Sequence, residues 1–98
     1  MAHFLIEYRD LGDAAGREEK RPDHIAYRKG LGSAIALAGP LLDDAAQPVG
    51  SVVILAADGR DEAEALAARD PYVAGGVMEL VSVRPYRIAA MKPPGGAA

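Results

Sequence analysis

An α+β fold, with strands and helices in the order β-α-β-β-α-β, is predicted by three features of the sequence. Two apolar stretches, Ala34–Ala38 and Gly50–Ala56, flank a short polar connection and read as an antiparallel hairpin. A run of strong helix formers, Glu62–Arg69, follows that hairpin. An apolar segment at residues 3–8 and an alternating one at residues 77–87 supply the first and last strands.

Each element has a local reason. His3-Phe4-Leu5-Ile6-Glu7-Tyr8 is rich in aromatic and branched side chains and suits a short strand. Residues 9–21 are dense in charge and are expected to form a loop with one helical turn at most. Arg21-Pro22-Asp23 looks like a helix start, because proline suits the first helical position and an acid suits the positive end of the helix dipole. His24, Tyr27 or Arg28, and Leu31 then recur at helical spacing, and Gly32 is a plausible stop for a helix of about ten residues. Asp43 to Pro48 is turn material, and Gly50–Ala56 is the clearest strand of the chain. The second helix should stop at Asp70-Pro71, since proline disfavours the helical region for its predecessor. Tyr72–Gly76 reads as a turn, and the last strand spans residues 77–87.

This order is the split βαβ arrangement of ferredoxin-like domains, a four-stranded antiparallel sheet with two helices on one face. The Gly50–Ala56 strand is apolar at successive positions, so both faces of the sheet need a cover. A second copy of the sheet is the simplest cover for the outer face, which predicts a homodimer with sheets face to face. Association would also help a chain of 98 residues, which hides only roughly 60–65% of its unfolded surface alone. The 21 Leu, Val and Ile side chains suffice for one core, so residues 1–88 are assigned to one domain and residues 89–98, with Pro93-Pro94-Gly95-Gly96, to a flexible tail.

Composition removes several classes of function. Cysteine is absent, which excludes disulfides, thiolate chemistry and cysteine-ligated metals. The net charge is −3 and basic residues do not cluster in one stretch, so nucleic acid is not an expected partner. No apolar run approaches the ~20 residues that span a bilayer. Residues 1–7 have no basic region and are interrupted by Glu7, unlike a signal peptide, which leaves a soluble cytoplasmic protein as the expectation. Two histidines without metal-ligand spacing argue against a metal, and Gly30-Leu31-Gly32 neither follows a strand nor opens a helix, so no organic cofactor is indicated.

Five segments together resemble the YciI-like proteins, the YCII-related domain family of the dimeric α+β barrel superfamily. They are Arg21-Pro22-Asp23-His24-Ile25-Ala26-Tyr27, Ala38-Gly39-Pro40-Leu41-Leu42-Asp43, Val49-Gly50-Ser51, Asp70-Pro71-Tyr72-Val73 with Gly75 or Gly76, and Val83-Arg84-Pro85-Tyr86. Each is weak alone; their order and spacing over residues 3–87 carry the resemblance. The Ala-rich second helix and Gly30 and Gly32 depart from the common pattern. The resemblance implies a homodimer, with further assembly left open, and a cleft holding a His–Asp pair, here His24 and Asp70.

A carboxylate that accepts from one ring nitrogen fixes the tautomer and leaves the other nitrogen as a general base. If His24 lies in the first helical turn, the dipole disfavours a positive charge on the ring while Asp70 favours it, and the balance stays open. The resemblance implies little about the reaction; the pair itself suits a small enzyme working without a cofactor, moving a proton on a small carbonyl, lactone or phenolic compound in an isomerase or lyase reaction. The other reading is a non-catalytic module that binds a small molecule or assembles as a dimer, with the pair locking two helices together.

Candidate binding residues have two readings each. Ser51 is a donor toward a substrate oxygen or an ordinary strand start. Gly39 and Pro40 let a ligand approach the backbone or simply end a strand. Tyr27 and Tyr72 line an apolar pocket or belong to the core with a wet hydroxyl. Arg21 is placed to bind a ligand carboxylate or is a solvated charge beside Glu18 or Glu19.

Overall fold

A computed structural model describes residues 1–91. Strand β1 spans Ala2–Asp10, helix α1 Ala14–Leu31, strand β2 Ile35–Leu42 and strand β3 Pro48–Ala57. Helix α2 spans Arg60–Ala68, the single-turn helix α3 Pro71–Ala74, and strand β4 Met78–Tyr86. The sheet is four-stranded and antiparallel, in the order β2-β3-β1-β4, with the helices on one face, as the ferredoxin-like expectation requires.

Alternation along the central strands sets the two faces. Phe4, Ile6 and Tyr8 of β1 pair in register with Leu55, Val53 and Ser51 of β3 and point toward the helices. Ala63 and Ala67 of α2, together with Tyr72 of α3, close the core over them. Alanine is the side chain that lets α2 lie close to the sheet, which gives the Ala-rich helix its purpose. Leu5, Val52, Ile54 and Ala56 alternate onto the opposite face. Leu37 and Leu41 join them from β2, and Leu37 is 45% exposed. Among the described residues no helix covers that face.

Both edge strands contain a proline, Pro40 in β2 and Pro85 in β4. An edge position tolerates proline because the missing N–H is not needed by a neighbour on the open side. This lets β2 run on through Gly39-Pro40 to Leu42, beyond the expected end at Ala38. Gly50 is buried where β3 crosses β1, and a Cβ there would collide with the backbone carbonyl of Tyr8.

The largest departure from expectation is α1. It begins at Ala14, not Arg21, and carries Pro22 in its interior. Asp13 caps it, accepting from the Gly16 N–H at 2.9 Å, and this cap wins over the proline signal. Interior proline costs about 3 kcal/mol, so the helix must be held by contacts elsewhere along its length. Its end is as expected: Gly32 takes a positive φ of 55° and donates to the Lys29 carbonyl. The expected turn at Tyr72–Gly76 is instead α3 followed by Gly75 and Gly76, because Asp70 and Pro71 are a good cap and first residue for a new helix. Of the expected tail, residues 92–98 lie outside the described residues.

Replacing Gly50 with alanine should force β1 and β3 apart. A loss of about 1–3 kcal/mol in urea unfolding is expected, and unchanged stability would show that the strands can yield there without cost.

Candidate functional site

Helix α1 has no fully buried residue, so its attachment to the body is made by a few specific contacts. The Tyr27 hydroxyl donates to the Leu66 carbonyl of α2 at 2.6 Å. Arg17 pairs with Asp10 at the end of β1, and the remaining ties converge on Asp70, whose side chain is fully buried between α2 and α3.

Asp70 Oδ1 accepts from His24 Nδ1 at 2.7 Å and from the Tyr72 backbone N–H at 3.0 Å. Its Oδ2 accepts from Arg28 Nε at 2.8 Å. Burial alone would push the Asp70 carboxyl up. The bonds from His24 and Tyr72 and the charge of Arg28 outweigh it and hold the group below its ordinary value of 3.8. An ionised carboxylate can only accept, so the bonded proton sits on His24 Nδ1 and the second nitrogen, Nε2, is the one left for a ligand.

Two neighbours fix these side chains further. The His24 ring stacks on Tyr72, with centroids 3.9 Å apart and planes inclined by 8°. The Arg28 guanidinium lies over the Tyr8 ring, 5.3 Å from its centroid. Burial pushes the Tyr8 hydroxyl up to about 12, against the opposing charge of Arg28. Arg28 Nη2 is buried and has no hydrogen-bond partner of ordinary geometry among the described residues.

His24 borders a cavity of about 420 Å³ between α1 and the β2–β3 hairpin, with Tyr72 and Met78 also in its wall. That volume suits a small ring compound. Arg21, Gly39, Pro40 and Ser51 line the same cavity, so six of the eight candidate residues meet there. Asp70 stands behind His24, out of the cavity. Tyr27, expected to line a pocket, does not border this one; its hydroxyl is committed to Leu66. Ser51, expected as a donor to substrate, points its hydroxyl at the Gly39 carbonyl, 3.3 Å away.

His24 lies in the middle of α1, not in its first turn, so the expected helix-dipole effect on the ring has no basis. Asp70, expected at the end of the second helix, is instead the cap of α3. Three cations were missed. Arg17, Arg28 and Lys29 line the cavity alongside Arg21. The signal was the spacing 17, 21, 24, 28, one stripe along a helix. It was hidden by starting the helix at Arg21. Among the described residues no three His, Asp or Glu side chains gather to hold a metal, and no helix is long and apolar enough to cross a membrane.

The family model of the YCII-related domain matches residues 1–87. The chain is also similar to the solved structure of 5-chloro-2-hydroxyhydroquinone dehydrochlorinase (TftG) from Burkholderia phenoliruptrix AC1100, in complex with 2,5-dihydroxybenzoquinone. The two are 27% identical with a TM-score of 0.69, and the match covers 87% of this chain and 91% of the other. No curated protein matches. The family resemblance read from the five segments is borne out.

Because the folded chain holds Asp70 below its ordinary value, its contribution to stability is complete above pH 3.8 and is lost as pH falls through the lower folded-state value. Asp70→Asn should cost about 3–5 kcal/mol at neutral pH and should flatten the fall in stability on acidification. Urea midpoints from pH 7 downward check both, and a variant with the wild-type acid profile would place the pH sensitivity elsewhere.

Proposed function

The chain belongs to the YCII-related domain family, and from that membership and the geometry around His24 we propose a small-molecule enzyme that works by proton transfer. The observation that carries the reading is one imidazole with Nδ1 bound to a buried carboxylate, 2.7 Å away, and its ring on the wall of a cavity. A related protein that eliminates chloride from a hydroxylated ring, 27% identical, supports the same substrate class.

In this mechanism His24 Nε2 takes a proton from a hydroxyl or activated carbon of a small phenolic, carbonyl or lactone compound. The electron pair released moves into the substrate to form a new double bond. In an elimination a leaving group departs with its bonding pair; in an isomerisation the proton returns at another atom. Asp70 holds the ring in the required tautomer and stabilises the imidazolium that forms. The Tyr72 ring face offers further support to that charge. Arg28 acts through Asp70, filling its second oxygen and keeping it ionised.

The same bonds fasten α1 to α3, which favours the alternative of a purely structural pair in a binding module. His24→Asn separates the two, because an amide can still donate to Asp70 but cannot serve as a base. Chloride release and absorbance changes on chlorinated hydroquinones, hydroxyquinones and small lactones provide the assay. A base of this kind contributes about 10²–10⁴-fold, so turnover should fall by that factor with little change in thermal stability. Retained turnover in a folded variant would remove the base.

We further infer that the uncovered sheet face, with Leu37, Leu41, Val52 and Ile54, packs against the same face of a second copy. Sedimentation should give twice the mass of one chain at micromolar concentration. Leu37→Glu should yield folded monomers, and a monomeric parent protein would refute the pairing.

A further inference from the structure

We propose that the cavity beside His24 selects substrates bearing an anionic oxygen group, a carboxylate or an ionised phenol, and that Arg21 and Lys29 make that selection. This rests on the reading of the cavity as the active site and adds the charge class of its substrate.

The argument is one of uncompensated charge. Four cations line the cavity, Arg17, Arg21, Arg28 and Lys29, and no carboxylate does. Asp10 takes Arg17, and Asp70 takes Arg28 together with His24. Arg21 and Lys29 have no ion pair among the described residues. The acids that share α1 with them, Glu18, Glu19 and Asp23, are absent from the cavity wall, and Glu19 lies 3.8 Å from Lys20. The helix thus turns four of its five cations to the cavity and leaves its acids outside.

This is not the spill-over of a basic surface, because the whole chain carries a net charge of −3. A local excess of like charge is unfavourable by itself and is relieved by an anion. A guanidinium matches the planar pair of oxygens of a carboxylate, and the ammonium of Lys29 adds an unspecific attraction. Such a field would also favour the negative charge that builds on the substrate as Nε2 removes its proton.

The test compares two ligands that share a ring and differ in charge, 2,5-dihydroxybenzoate and its methyl ester. Calorimetric titration of the full chain at low and high salt reads both affinities. The acid should bind at least about tenfold more tightly than the ester, since one or two nearby cations supply that much at a partly exposed site. The advantage should shrink as salt rises. Arg21 and Lys29 are both exposed, so a double variant, Arg21→Gln with Lys29→Gln, should fold normally. It should lose the preference for the acid, with the affinity for the acid falling at least about tenfold more than that for the ester.

Equal affinity for the two compounds, failure of both to bind at millimolar concentration, or a preference that survives in the double variant would each overturn the proposal. The base reading fails separately. An acid preference removed by the double variant, beside turnover indifferent to His24→Asn, supports the charge selection and eliminates the base alone.

Discussion

One buried carboxylate organises this molecule. Asp70 has no contact with solvent, yet it stays ionised because His24, Arg28 and a backbone N–H supply three hydrogen bonds to its two oxygens. Such an arrangement is costly to break, since removal of one partner leaves the others desolvated and unmatched. It also solves a mechanical problem. Helix α1 contributes no fully buried side chain and contains an interior proline, so apolar packing alone does not seat it. The carboxylate seats it, with Tyr27 on α2 and the Arg17–Asp10 pair at the end of β1 as further anchors. An interaction that attaches the helix is therefore also the one that aims the imidazole, on the wall of the cavity between α1 and the β2–β3 hairpin.

The sheet supplies the other wall for equally local reasons. Gly50 must be glycine for β3 to approach β1, and its neighbour Ser51 then faces the cavity side. Gly39 and Pro40 lie on an edge strand, where a missing side chain and a missing N–H cost little. The sheet's share of the cavity wall thus combines these edge positions with Gly50 and Ser51 of the interior strand β3. The chemical groups stand opposite, on the helix.

Much of this was legible in the residues. Strands β1, β3 and β4 announced themselves by alternation or by continuous apolar runs, and α2 by its helix formers between a glycine and an Asp-Pro. The pairing of His24 with Asp70 came from the family resemblance, since no local rule joins positions so far apart. What stayed hidden was hidden by competition between local signals. Pro22 suits a first helical position, so it masked the true cap at Asp13. With the helix begun too late, Arg17 fell in a presumed loop and the stripe through Arg28 was cut short. Asp70-Pro71 marks an ending and a beginning equally well, and the sequence favoured the ending. The direction of the Tyr27 hydroxyl depends on how α1 lies over α2, which periodicity does not encode.

Both rims of the sheet carry a proline, Pro40 on one side and Pro85 on the other. A foreign strand arriving at either border would meet a ring where it needs a donor, so growth by adding strands is obstructed at both ends. The broad apolar side of the sheet has no such guard. Sideways extension of the sheet into ribbons or fibres is thereby disfavoured, and the apolar area left exposed on that side faces perpendicular to the plane of the strands.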